Sequence, residues 1–258
     1  MTPLFGRRRE ATTPPEPGVA GRRVGESATP AGVEAESRTA PGAQPARWVV
    51  VVPVKPSAHG KSRLDVPGVA RKDLARAIAL DTLEAATACD VVAQVVVVTD
   101  DATLAREAAR IPALRFVPEG DAGGLDAAVA VGVAAIDPDG RMPRAALLGD
   151  LPSLRPDDLG EALRAAASLP RAVVPDAEGT GSTLVTAGAG VVWTSSFGEG
   201  SFARHVTLGC TALEIPDAST LRRDVDTAAQ LEAARALGLG PRTAALLAGG
   251  LSRRHPHA

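Results

Sequence analysis

At 258 residues the chain is long enough for one sizeable α/β domain with a real core. A formal net charge of -2 disfavours nucleic acid or an anionic membrane as partner, and 2% aromatic content without tyrosine leaves little for bases to stack on. Two cysteines, Cys89 and Cys210, no membrane-length apolar run and no apolar stretch behind Arg7-Arg8-Arg9 point to a cytoplasmic protein without disulfide framework, membrane span or secretory signal.

Residues 1–46 are Pro-, Gly-, Ala-, Arg-, Glu- and Thr-rich and are expected to be a disordered extension, because they hold too little apolar surface to offset ordering. Order is expected over 47–248, beginning with the β-branched run Trp48-Val49-Val50-Val51-Val52, a central strand. A loop with Lys55, Lys61 and Arg63 follows, then a helix over 71–88 with Leu74, Ile78 and Leu83 on one stripe. Val95–Val98 reads as a second buried strand, and Asp100 or Asp101 caps a helix over 102–110. Leu114–Val117 is a short strand, and 124–136 a helix of small residues suited to packing close to a sheet.

Ala145-Ala146-Leu147-Leu148 then runs into Gly149-Asp150-Leu151-Pro152. The apolar run predicts a buried parallel strand, and Pro152, which has no N–H to donate, stops it. Asp150 thus stands at a strand's carboxyl end, where ligands bind in open α/β sheets. It either holds Mg2+ or merely caps the turn. Pro156 opens the next helix at its first position, with Asp157 and Asp158 in its first turn. Strands are expected at 172–175, 182–187 and 212–215, a closing helix over 227–237 ended by Gly238, and a frayed tail over 249–258. The alternation of strands and helices predicts a three-layer α/β/α sandwich on a mostly parallel mixed sheet.

The first loop concentrates two of the chain's three lysines, Lys55 and Lys61, together with Arg63, in a protein that otherwise uses arginine. Such cations suit a polyphosphate, or form only a solvated basic loop; the loop carries neither a P-loop nor a dinucleotide fingerprint. Glu119 to Asp126 is glycine-dense before a helix start and either meets a ligand with backbone amides or is an ordinary turn. The small hydroxyls and glycines of 176–184 and of Phe197 to His205 could seat an anion; Ser201 alternatively only caps its own helix, and His205 lies on the surface. Asp224 and Asp226 are expected to point to opposite faces of an extended segment, so that only one faces Asp150, while Thr227 caps the last helix.

Six motifs in this order resemble one family. They are Pro53-Val54-Lys55 with Lys61-Ser62-Arg63-Leu64, Gly124-Leu125-Asp126-Ala127-Ala128, Gly149-Asp150-Leu151-Pro152, Pro175-Asp176 with Gly179-Thr180-Gly181-Ser182-Thr183, Phe197-Gly198 with Ser201 and His205, and Leu221-Arg222 with Asp224-Val225-Asp226-Thr227. Together, over about 48–237, they are similar to the guanylyltransferases of coenzyme F-420 biosynthesis, within the nucleotidyltransferases of nucleotide-diphospho-sugar transferase-like fold. The resemblance implies transfer of GMP from GTP to phosphoenolpyruvate or 2-phospho-L-lactate, with a downstream deazaflavin transferase as a further partner. It implies that Lys55, Lys61 and Arg63 hold the GTP phosphates, with Lys61 and Asp150 catalytic, and that Gly124, Leu125 and Asp126 contact the nucleoside. It further implies that Asp150 with Asp224 or Asp226 binds Mg2+, and that Thr183, Gly198 and Ser201 hold the phosphoenol acid. Ser182 departs from the family's preference for Thr but keeps the hydroxyl.

An acceptor phosphate oxygen would attack the α-phosphate of GTP and release pyrophosphate. That acceptor is already an anion and needs no general base, in keeping with a sequence that offers no Ser-His or His-Asp dyad. A related transferase with another acceptor (3-phosphoglycerate or molybdopterin-type), or a GTP-binding module without catalysis, stands as the alternative.

Overall fold

The computed structural model describes residues 47–55, 64–121 and 123–252. The expected extension over 1–46, the cations Lys61 and Arg63, and residues 253–258 lie outside them. The described elements are β1 (Trp48–Pro53), α1 (Arg71–Ala88), β2 (Val92–Val98), α2 (Ala102–Ala108), β3 (Leu114–Val117), α3 (Leu125–Ile136), β4 (Arg144–Leu147), α4 (Pro156–Ala166), β5 (Arg171–Pro175), β6 (Ser182–Ala187), α5 (Ser201–Thr207), β7 (Thr211–Ala212), a 3-10 turn at Thr220–Arg222, α6 (Ala228–Leu237) and α7 (Pro241–Ser252).

The seven strands form one sheet in the order β3-β2-β1-β4-β6-β5-β7. Only β6 runs antiparallel to its neighbours, β4 and β5. All other pairings are parallel. The alternation of side chains along β1 and β2 builds the two outer layers. Val50, Val52, Val95 and Val97 pack with Leu80 and Leu83 of α1 and with Leu159 and Leu163 of α4. Val49, Val51, Val96 and Val98 pack on the opposite face with Val129 and Val133 of α3. Each such valine, fully buried, contributes roughly 1.5–3 kcal/mol. The small-residue helix approaches the sheet as expected: a Cβ at Gly132 would stand 2.5 Å from Val51 Cγ1.

From β1 the chain proceeds outward to β2 and β3, then returns to place β4 on the other side of β1. The carboxyl ends of β1 and β4 therefore flank the point where strand order reverses, the position at which open α/β sheets form a ligand crevice. Lys55 follows one strand and Asp150 the other.

Three expectations need correction. The strand expected over 212–215 is the two-residue β7; beyond it only the Leu213 amide continues the pairing, to the Val173 carbonyl. The helix expected over 102–110 ends at Ala108. Most importantly, α6 is not the closing helix. After Gly238 the chain re-enters a helix, α7, which runs to Ser252, past the start of the expected tail. Its first turn is capped from a distance: the buried Asp81 carboxylate of α1 accepts the amides of Arg242 and Thr243 at 3.0 and 2.8 Å. Leu247 then packs with Leu64, Leu74 and Ile78. No helix among the described residues is long and apolar enough to cross a membrane.

Candidate active site

A cleft of about 280 Å³ opens at the carboxyl ends of β1 and β4. Of the residues expected to act, Lys55, Leu125, Asp150 and Asp226 line it. Asp150 is set by its neighbours' backbone. Thr82 of α1 donates its hydroxyl to the Ile78 carbonyl and accepts the Leu151 amide at 3.1 Å, which fixes the turn just after Asp150. The Leu148 amide, two residues earlier, pairs with the Thr183 carbonyl of β6 at 3.0 Å.

A backbone bond ties the second acidic segment to Asp150, from the Val225 amide to the Asp150 carbonyl at 3.1 Å. The 3-10 turn that leads into it is anchored on α4, where Asp158 accepts the Thr220 amide at 2.7 Å and the Thr220 hydroxyl. Arg222 donates to the Asp176 carbonyl at 3.0 and 3.3 Å and so draws the loop after β5 to the same place. The two acids part company as the alternation suggested, although the segment is coil rather than strand: Asp226 lines the cleft, and Asp224 joins Asp176 and Glu178. Asp226 shares the cleft wall with Asp150. Asp224 is near enough that Asp150 contributes more than any other charge to raising it; burial comes first, then Asp150, Asp176, Asp226 and Glu178, and together they push the Asp224 carboxyl up to about 8.

Carboxylate atoms of Asp176, Glu178 and Asp224 lie within 4.8 Å of one another, and Asp224 Oδ1 is buried without a hydrogen-bond partner among the described residues. Asp176 is committed locally. Its oxygens accept the amides of Thr180 at 2.9 Å and Gly181 at 2.6 Å, and a Cβ on Gly181 would stand 2.3 Å from Oδ2, so this close approach requires glycine. Hard oxygen donors that repel one another around a buried, unsatisfied oxygen fit a divalent cation such as Mg2+.

Sequence motifs did not point to Arg76. From α1 it lines the cleft with Ala75 and Ala79, its Nε buried and without a hydrogen-bond partner among the described residues, while NH1 makes long ion pairs with Asp73 and Glu107 at 3.6 and 3.5 Å. Its only sequence signal is a cation beside small residues at helical spacing.

The other expected residues form a second, polar group. Ser201 is the first residue of α5 and does not cap it; Gly200 does, in a left-handed conformation. Ser201 Oγ lies 3.3 Å from Ser182 Oγ, and its amide donates to the Gly198 carbonyl at 3.0 Å. Thr183, next to Ser182, is buried, and its Oγ1 has no hydrogen-bond partner among the described residues. Gly198 is exposed and Gly124 caps α3. His205 is not a surface residue but fully buried, its imidazole pushed down to about 4 chiefly by desolvation. It lies 3.0 Å from Ser182 Oγ through Nδ1, so a Ser-His pair does exist. It is not an activated nucleophile, because Nε2 accepts the Ser196 amide at 2.9 Å, which leaves the proton on Nδ1 and no base facing the serine. The Asp126 carboxylate accepts the Ser195 hydroxyl and the Phe197 amide.

Comparison with known proteins gives the family and the fold. Residues 48–240 match the family described as "Guanylyl transferase CofC like". The chain is 48% identical over 205 residues to a phosphoenolpyruvate guanylyltransferase of Thermomonospora curvata, covering 78% of this chain and 89% of that protein. It is 46% identical over 207 residues to one of Streptomyces coelicolor, covering 78% and 96%. Among solved structures, it resembles the 4-diphosphocytidyl-2C-methyl-D-erythritol synthase of Anaerococcus prevotii with TM-score 0.53 and 11% identity, covering 74% and 95%. A homologue of rv0371c from a Mycobacterium species gives TM-score 0.52 and 20% identity, covering 80% and 98%. These two likenesses speak for the fold alone.

Proposed function

The chain belongs to the CofC-like guanylyl transferase family, and from that premise we propose that it transfers GMP from GTP to phosphoenolpyruvate with release of pyrophosphate. The observation that carries the reading is the convergence of Asp150, Asp224 and Asp226 beside a cleft that also presents Lys55 and Arg76. The triphosphate would lie along Lys55 and Arg76, with Lys61 and Arg63 adding charge from the first loop. The nucleoside would rest on Gly124 and Leu125. Thr183, Gly198 and Ser201 would hold the acceptor through amide and hydroxyl donors. Mg2+ held at Asp224 together with Asp150 or Asp226, the acids that with Asp176 and Glu178 surround it, would supply charge neutralisation on the phosphates.

The protein's own contribution is positioning. The cations and small hydroxyls hold two polyanions in line, so that an acceptor phosphate oxygen bonds to the α-phosphorus of GTP as the bond to the β-phosphate oxygen breaks. No proton moves in that step, consistent with His205 being locked in a structural role. The product would be consumed by a downstream transferase acting on a deazaflavin.

The test is an acceptor panel of phosphoenolpyruvate, 2-phospho-L-lactate and 3-phosphoglycerate with GTP and Mg2+, read by pyrophosphate release and product mass. The names of the relatives favour phosphoenolpyruvate. A higher kcat/KM on either other acid would reassign the acceptor, and GTP binding without pyrophosphate release on any acid would leave a binding module.

A further inference from the structure

Asp126 stands one residue after Leu125, a wall of the nucleotide cleft, yet its carboxylate is spent elsewhere. Oδ1 accepts the Ser195 hydroxyl at 2.7 Å and the Phe197 amide at 3.0 Å, and Oδ2 lies 3.1 Å from the same amide. From the opposite side, His205 Nε2 accepts the Ser196 amide and Nδ1 donates to Ser182. The Phe197 ring meets the imidazole edge-on, with centroids 5.0 Å apart. Two successive amides are therefore gripped by two different elements, α3 and α5, immediately before Gly198 and Ser201.

A carboxylate with both oxygens in charge-assisted bonds is a poor candidate to turn toward a nucleoside, because it would strand a buried amide. It is a good candidate to tie two sites together. Its backbone is the first turn of the helix that borders the nucleotide, and its side chain holds the loop that carries the acceptor residues. Resting on the reading of Thr183, Gly198 and Ser201 as the acceptor seat, we propose that Asp126 is a positioning residue for the acceptor, linking the nucleotide cleft to the 195–198 loop, and makes no nucleoside contact itself. Because coupling between sites is reciprocal, GTP seated against Leu125 tightens acceptor binding, and the acceptor tightens GTP.

The experiment compares wild type, Asp126→Ala and Ser195→Ala, which removes the same hydroxyl bond from the loop side should Asp126→Ala fold poorly. Both variants are expected to raise KM for phosphoenolpyruvate at saturating GTP about tenfold or more, while the Kd of GTP measured without acceptor stays within about twofold. His205→Gln, whose amide can make both imidazole bonds, should stay close to wild type, whereas His205→Leu should follow Asp126→Ala. Hydrogen exchange supplies a readout free of turnover: GTP with Mg2+ should protect the 195–198 segment in wild type and not in Asp126→Ala. A raised Kd for GTP with an unchanged acceptor KM, acceptor kinetics like wild type in both variants, or protection retained in Asp126→Ala would overturn the proposal. Failure of the underlying reading looks different, since wild type itself would then release no pyrophosphate on any acceptor.

Discussion

The Val225 amide donates to the Asp150 carbonyl across 3.1 Å, and this bond joins two acidic segments more than seventy residues apart. It sets Asp226 on the same cleft wall as Asp150 and brings Asp224 into the field of both. The cost is like charge held close together and partly dehydrated.

Asp224→Asn removes a carboxyl that burial and four neighbouring carboxylates push up to about 8. A carboxylate whose folded pKa lies above its unfolded value costs stability at neutral pH. The variant should therefore unfold at higher temperature without Mg2+, by about 1–3 kcal/mol, while turnover falls about 100-fold or more. Calorimetry and pyrophosphate release on the same sample check both signs.

Thr82→Val keeps the shape of α1 but leaves the buried Leu151 amide without its acceptor. The expected loss is about 1–3 kcal/mol in denaturant unfolding. Turnover should fall more than acceptor or nucleotide affinity, because the turn after Asp150 is displaced and the binding walls are not.

Much of this was legible from residues near one another in sequence. The valine runs of β1 and β2 state their own burial, and the Thr227 cap on α6 closes with Gln230 three residues later. The acid after β4 could be read because the apolar run breaks at Gly149, although the strand itself stops at Leu147, before Pro152 is reached. What escaped depends on partners far along the chain. The start of α7 is capped by Asp81, which lies 161 residues before Arg242; the segment's own start signal, Pro241 at the first helical position, was passed over after Gly238 had closed α6. The bonds that the Asp126 carboxylate accepts come from Ser195 and Phe197, about seventy residues later, and no local pattern announces them.

His205 gives a pH dependence with a defined sign. Its ordinary value of 6.5 falls to about 4 in the folded protein, so between those values the unfolded chain binds the additional proton. Stability should decline as pH drops from 6.5 to about 4 and level off below, by about 3 kcal/mol in all. His205→Gln should remove this component, which urea unfolding at pH 7, 5.5 and 4.5 would reveal.

Arg76→Met tests a cation that no motif announced. Its ion pairs with Asp73 and Glu107 are long and those acids are partly exposed, so stability should change by less than about 1 kcal/mol. KM for GTP should rise about tenfold with the acceptor KM little changed. Lys61→Ala is expected to shift KM for GTP in the same direction, as initial-rate kinetics would show.

The most direct measurement is pyrophosphate release by Asp150→Asn at saturating GTP, phosphoenolpyruvate and Mg2+, beside wild type. The three-carboxylate centre predicts a fall of about 100-fold or more with the fold intact. Turnover within about twofold of wild type would contradict it.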